Sequence, residues 1–332
     1  MKRILTAVFL LFTLNAFAAV ELNGAGATFP YPLYSKWFND YTKENPEVKL
    51  NYSPIGSGGG IRQIIAGTVD FGASDVPMND EEKKQTKTEI LHIPTTVGAV
   101  AAVYTLKGVT ANLKLDGQTL ADIFTGTVKK WNDSAIAKLN PGITLPDKDI
   151  LVVHRADASG TTAVFTEYLA RVSAQWKSSL GFGKSVNWPV GVGGKGNDGV
   201  TSTVGQIEGA IGYVELAYAI NNKLQTFALK NRSGNFVLPT TESVSKAAAV
   251  KKGTKVDLTA SILDKEGKDS YPISSLTWVL IPVTKDKNEK RTEFVKFLRW
   301  ALTKGQTQCE KLNYAPLPKE LAKAALAKIN GL

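Results

Sequence analysis

Three times in this chain an apolar, β-type run ends in a Gly/Ser/Thr-rich turn that opens a helix. The first turn is Gly24-Ala25-Gly26-Ala27-Thr28-Phe29-Pro30, and the helix after it carries Leu33, Trp37 and Tyr41 on one face. The second is Gly56-Ser57-Gly58-Gly59-Gly60, where the helix over 58–66 shows Ile61, Ile64 and Ile65 and stops at Gly67. The third, Arg155-Ala156-Asp157-Ala158-Ser159-Gly160-Thr161-Thr162, joins a buried-type strand over 150–154 to a helix over 159–173. Further strand character lies at 49–52, 69–73, 97–106 and 210–214, with helices over 116–124 and from Pro318 to near Gly331. This βαβα rhythm predicts α/β architecture with mostly parallel sheets.

Turns of this composition suit an anion. A helix N-terminus presents unpaired N–H groups and a partial positive charge. Glycine lets backbone approach a ligand, and Ser or Thr adds a small hydroxyl donor. One such turn proves little, because Ser and Thr there commonly serve only as helix caps. Three in one chain, one of them carrying an arginine, point to an anion site. No Walker Gly-x4-Gly-Lys-Ser/Thr run is present, and Gly24-x-Gly26 lacks the third glycine of a dinucleotide fingerprint. A fourth turn, Gly193-Gly194-Lys195-Gly196-Asn197-Asp198-Gly199, reads equally well as a surface or lobe-edge turn.

Two long β-type runs, 91–106 and 273–283, are candidates to pass between two lobes. Lobe I is then expected from 19–95 plus 273–332, and lobe II from 96–272, a division that 332 residues can support. At the start of the chain, Lys2 and Arg3 precede a short apolar run, Ile4 to Leu14, and Ala16-Phe17-Ala18 follows. That is the pattern of a cleaved signal peptide over residues 1–18, and the apolar run is shorter than the ~20 residues that span a bilayer. No Cys stands at the cleavage point, which argues against a lipid anchor. Cleavage removes two basic residues and no acid, so the formal charge falls from +10 to +8. A basic surface concentrates small anions. The lysines are scattered pairs such as Lys83-Lys84 and Lys129-Lys130, not a stripe interleaved with aromatics, so no nucleic-acid partner is expected. With one cysteine, Cys309, and two histidines, His92 and His154, there is no disulfide and almost no material for a Cys/His metal site. Cys309 reads as a packing residue. No metal and no cofactor are expected.

Five segments carry a resemblance to a known family. They are Gly24–Pro30, Gly56–Gly60, Asp70-Phe-Gly-Ala-Ser-Asp75, Arg155-Ala-Asp-Ala-Ser-Gly-Thr161 and Trp188-Pro-x-Gly-x-Gly-Gly-Lys-Gly-Asn-Asp-Gly199. In this order they resemble the periplasmic phosphate-binding protein of the bacterial phosphate ABC importer, across essentially the whole chain after residue 18. The resemblance implies a type II periplasmic binding protein fold: two α/β lobes joined by two crossover strands and closing on the ligand. Carried over by position, it implies phosphate ligands at Thr28, Phe29 (backbone N–H), Ser57, Asp75, Arg155, Ser159, Gly160 (N–H) and Thr161. Asp157 would hold the Arg155 guanidinium in place. Two departures are mild: His154 beside Arg155, and Gly58 where the family can have a second Ser. Neither touches an implied ligand group.

Asp75 is the informative residue, because a carboxylate should repel an anion. It helps only if the ligand carries a proton to donate. A phosphate monoester loses its second proton near pH ~6, and inorganic phosphate similarly keeps one proton at neutral pH. Sulfate keeps none, and a site built around a specific donor rejects an isostere lacking it by ~10⁴–10⁵-fold. The implied protein is a monomeric receptor, not an enzyme, whose partners are inorganic phosphate and the permease and ATPase subunits of the importer. Two other classes stay open at this level: a receptor for another oxyanion, and a secreted phosphate-processing enzyme or an adhesin on the same fold.

Overall fold

The computed structural model describes residues 19–251, 253–254, 256–284 and 288–332; the expected signal peptide, 1–18, lies outside them. Elements run β1 (Val20–Gly26), α1 (Tyr31–Glu44), β2 (Val48–Ser53), α2 (Ser57–Ala66), β3 (Phe71–Ser74), α3 (Asp80–Lys84) and β4 (Ile90–Tyr104). Next come β5 (Lys114–Leu115), α4 (Gly117–Thr125), α5 (Ser134–Leu139), β6 (Leu151–Arg155), α6 (Gly160–Val172), α7 (Ala174–Ser179), β7 (Val192–Gly194), α8 (Gly196–Gln206) and β8 (Ala210–Glu215). The chain closes with α9 (Leu216–Asn221), β9 (Gln225–Thr226), β10 (Ala228–Lys230), β11 (Phe236–Val237), α10 (Thr241–Ala248), β12 (Ser274–Pro282), α11 (Glu289–Ala301) and α12 (Lys319–Ile329).

The main sheet has nine strands, in the order β2-β1-β3-β12-β4-β8-β6-β7 with β9 also on β4. β1 is parallel to β2 and β3, and β6 is parallel to β7 and β8. Between these groups every pairing is antiparallel: β12 to β3 and β4, and β4 to β8 and β9. Parallel pairing therefore holds for β1, β2 and β3 and for β6, β7 and β8, and the expectation of mostly parallel sheets fails at β12 and β4, whose every pairing is antiparallel. A parallel neighbour needs a long crossover connection, whereas a strand returning from the other lobe meets β3 and β4 running the opposite way.

β4 is the strand that passes between the lobes. Its residues from Ile90 to Ala99 pair with β12, and those from Val100 to Tyr104 pair with β8. β12 starts beside Ala99 and lies between β3 and the Ile90–Ala99 part of β4, and just before it the Ile273 carbonyl accepts from the Val100 N–H at 2.8 Å. β3 begins at Phe71, two residues later than expected, because Asp70 is occupied with polar partners: its carboxylate accepts from the Asn23 N–H at 2.8 Å and pairs with Lys290 at 3.1 Å.

Each lobe has its own aromatic core. Phe71 stacks on Phe294 at 4.4 Å, and Phe38 packs on Phe297 at 5.2 Å. In the other lobe Phe165 stacks on Tyr213 at 4.2 Å and Tyr104 packs on Phe227 at 4.3 Å. Leu33, Trp37 and Tyr41 of α1 are all buried, as their spacing predicts. Cys309 is fully buried, its sulfur accepts from the Thr96 hydroxyl at 3.7 Å, and burial pushes the thiol up to about 12. It is a packing residue. Among the described residues no helix is long and apolar enough to cross a membrane.

Candidate functional site

The three Gly/Ser/Thr turns meet where the lobes face each other. Ser57 opens α2, Ser159 caps α6 by accepting from the Thr162 N–H at 3.0 Å, and Thr28 precedes α1 by three residues. The turns touch directly: the Gly58 N–H donates to the Ala158 carbonyl at 2.9 Å. Two glycines permit this closeness. A Cβ on Gly160 would stand 2.3 Å from Ser57 Oγ and 2.7 Å from Asp75 Oδ2. One on Gly56, whose φ of +84° already disfavours a side chain, would stand 2.4 Å from Asp157 Oδ2.

Arg155 ends β6 and is buried. Its guanidinium donates twice to Asp157, from Nε to Oδ1 at 2.8 Å and from Nη2 to Oδ2 at 2.6 Å. Nη1 donates to Thr161 Oγ1 at 3.3 Å. Burial alone would raise the Asp157 carboxyl, but the paired bonds and charge of Arg155 hold it below its ordinary value. Such a two-point fork fixes the guanidinium plane, which a single contact would not do. Asp157 thus fixes the plane of the Arg155 guanidinium. It also ties down the fourth Gly-rich turn, because Gly196 N–H donates to Asp157 Oδ1 at 3.0 Å.

Asp75 follows β3 directly and is buried. Its Oδ1 accepts the Thr277 hydroxyl at 2.8 Å and its Oδ2 the Ser57 hydroxyl at 3.3 Å. Burial raises the carboxyl to about 7, against the bonds from Thr277 and Ser57 and the charge of Arg155, which pull it down. Its protonated form, which can donate, is therefore favoured relative to that of an ordinary carboxyl.

All eight expected ligand residues, and Asp157, belong to this one cluster. Phe29 follows Thr28 in the first turn, its ring lies in the core against Gly98, and its carbonyl accepts from the Tyr314 hydroxyl at 2.7 Å. Four further residues escaped sequence reasoning. Asn197 reaches Thr28 Oγ1 at 2.8 Å and Thr161 Oγ1 at 3.4 Å, and the Gly-rich turn at 193–199 was its only signal. Thr277 lies inside an ordinary apolar strand and had no signal. Tyr218 donates its hydroxyl to the Thr28 carbonyl at 2.7 Å. Glu215 caps α9, and burial raises its carboxyl well above the ordinary range. His154, the departure beside Arg155, turns away and stacks on Trp188 at 4.9 Å. The ring nitrogens of the two histidines bond to the backbone of Met78, Ile90 and Arg155, not to Ser57 or Ser159. Among the described residues no group of three or more His, Cys, Asp or Glu side chains is placed to hold a metal.

The chain is similar to known proteins over most of its length. The family model described as a PBP superfamily domain matches residues 15–304. The phosphate-binding protein PstS of Pasteurella multocida is 47% identical over 305 residues, covering 91% of this chain and 88% of that one. The phosphate-binding protein PstS of Haemophilus influenzae is 44% identical over 316 residues, covering 95% and 94%. Among solved structures, a putative phosphate ABC transporter substrate-binding protein with bound phosphate from Clostridium perfringens aligns with a TM-score of 0.67 at 20% identity, covering 90% of this chain and 99% of that one. A high-affinity periplasmic phosphate-binding protein, PfluDING, bound with phosphate at pH 8.5, aligns with a TM-score of 0.73 at 19% identity, covering 92% and 93%. At those identities the structural likeness speaks for the two-lobed fold.

Proposed function

The chain belongs to the phosphate-binding proteins of the PBP superfamily, and on that premise we propose that it captures inorganic phosphate between its lobes and hands it to a membrane ABC importer. It is a binding protein and not an enzyme. The observation that carries this reading is that buried Arg155 and buried Asp75 stand in one hydroxyl-lined site. Arg155, the helix ends and the hydroxyls attract an anion. Asp75 admits only an anion that can share a proton with it.

Phosphate binds first on one lobe, and the other closes over it by a hinge motion. Thr28, Ser57, Ser159 and Thr161 offer hydroxyls, and Phe29 and Gly160 offer backbone N–H groups. Arg155 supplies the cation, held by Asp157, and the phosphate P–OH donates to Asp75. Lobe I comprises 19–95 with 273–332 and lobe II 96–272, the change of β4 partner at Val100 supporting that division. After cleavage of 1–18 the protein works as a monomer in the periplasm. The closed form docks on the permease, whose ATPase drives release.

Calorimetric titration of refolded, ligand-free protein with phosphate, sulfate and arsenate at pH 8 tests this. Tight phosphate and arsenate binding with no detectable sulfate binding is expected. Sulfate binding as tight as phosphate at that pH would overturn the reading, as would release of phosphate from a phosphomonoester.

A further inference from the structure

Asn197 is completely buried at the second position of α8 and hydrogen-bonds in three directions. Its Oδ1 accepts from the Glu215 N–H at 2.9 Å. A backbone N–H can only donate, so this bond determines which end of the amide is oxygen and turns Nδ2 toward the site. Nδ2 donates to Thr28 Oγ1 at 2.8 Å and to Thr161 Oγ1 at 3.4 Å, and the Asn197 backbone N–H also donates to Thr28 Oγ1, at 3.3 Å.

A hydroxyl has one proton and two acceptor lone pairs. Thr28 Oγ1 receives two donations from Asn197, so both lone pairs are engaged and its proton must point elsewhere. Thr161 Oγ1 receives one from Asn197 and one from Arg155 Nη1 at 3.3 Å, and a guanidinium can only donate. It is in the same position. Both hydroxyls are therefore obliged to donate to whatever occupies the site, and neither can accept from it. An ionised oxyanion wants this polarity, and a ligand P–OH is left with Asp75 as its acceptor.

We infer that Asn197 is a positioning residue for phosphate: it fixes the hydroxyl protons of Thr28 and Thr161 toward the ligand. It holds Thr28 only when the lobes are together, because Thr28 comes from the β1–α1 turn and Asn197 from the start of α8. Closure thus converts a freely rotating hydroxyl into a fixed donor. The inference rests on the phosphate reading above.

The test is phosphate calorimetry at pH 8 on the wild type, Asn197→Ala, the pair Thr28→Val with Thr161→Val, and the triple variant. Tight binding by the wild type secures the phosphate reading by itself, and its absence would sink that reading. Given wild-type binding, Asn197→Ala should weaken affinity about tenfold to hundredfold. In the background lacking both hydroxyls the same change should cost less than about threefold, because residues acting through one another are non-additive. Equal losses in both backgrounds would show a role in folding or closure alone and overturn the inference, as would an unchanged affinity for Asn197→Ala. Asn197→Asp provides a second readout and decides the matter if Asn197→Ala does not fold. An ionised Asp accepts the hydroxyl protons and a protonated one can donate, so its affinity relative to wild type at the same pH should recover between pH 8 and pH 5. A ratio that stays constant over that range would rule the inference out.

Discussion

The Thr277 hydroxyl donates to Asp75 Oδ1 at 2.8 Å from a strand 202 residues further along the chain. It does so where β12 slips register against β4, between Thr277 and Trp278. Such irregularities re-aim a side chain, and here the re-aimed hydroxyl helps keep a buried carboxyl ionisable. Thr277→Val should raise Asp75 further, since one of the bonds stabilising its charged form is lost. The expected result is sulfate binding appearing at a higher pH than in the wild type, with phosphate binding at pH 8 weakened by less than about tenfold. Calorimetry of both anions across pH 5–9 checks it, and an unchanged sulfate profile would count against the link.

Asp75 itself sets a pH rule for selectivity. Burial raises it to about 7, so below that pH it carries its own proton and can donate. Sulfate rejection should therefore be strongest above pH 8 and erode as pH falls through about 7. Phosphate binding should change less, because ligand and carboxyl share one proton whichever brings it. Asp75→Asn should bind sulfate at every pH and lose the pH dependence. If Asp75→Asn still rejects sulfate fully, the proton-sharing account is wrong.

Gly160→Ala tests how closely the turns must approach. The added methyl would lie 2.3 Å from Ser57 Oγ and 2.7 Å from Asp75 Oδ2, against atoms that are themselves bonded. The variant should fold, since α6 tolerates alanine at its first position. It should bind phosphate at least ~100-fold more weakly because the lobes cannot close, a loss on the scale of 1.4 kcal/mol per tenfold. Wild-type affinity in a folded Gly160→Ala protein would contradict the packing described.

The anion turns were readable because glycine, serine and helix starts are local signals. Thr28, Ser57 and Ser159 each stand within three residues of the helix they precede or open. What stayed hidden depends on long-range pairing. β12 lies between β3 and β4, across more than 170 residues of chain, and nothing in Ser274–Pro282 announces its neighbours. Thr277 looks like any β-branched residue in a buried strand. Asn197 lay in a turn with a signal, but its meaning depends on Glu215 fixing the amide and on closure bringing Thr28 to it. The same logic explains the antiparallel junction: direction is set by where the chain returns from, not by local pattern.

His92 predicts an acid limb of stability. Its Nε2 accepts the Met78 N–H at 3.0 Å and Nδ1 lies 3.1 Å from the Ile90 carbonyl, which holds the ring neutral. Burial lowers it to about 4 from 6.5. The unfolded chain then takes up a proton that the folded chain refuses, so stability is complete above about 6.5 and falls as pH drops toward 4. The loss is at most about 3 to 4 kcal/mol at ~1.4 kcal/mol per unit. Urea denaturation of ligand-free wild type and His92→Asn from pH 7 to 4.5 measures it, and the variant should show the shallower slope.

Among the described residues an ion pair joins α3 to the segment after α7. Glu82 in α3 reaches Lys184 beyond α7 at 2.7 Å, and both side chains are largely buried. Glu82 is already anchored, because its other oxygen accepts the Asn79 N–H at 3.0 Å in a capping box. The pair therefore needs little ordering of the acid when the lobes meet, which favours a real contribution over the near-zero value of a loose surface pair. Glu82→Gln preserves the cap, since glutamine serves equally at that position, and removes only the charge. Phosphate should dissociate about twofold to tenfold faster with association unchanged, and added salt should speed release from the wild type more than from the variant. Stopped-flow release into a phosphate trap gives both rates. A change confined to association would mean that Glu82 acts on the approaching anion and not on the closed state.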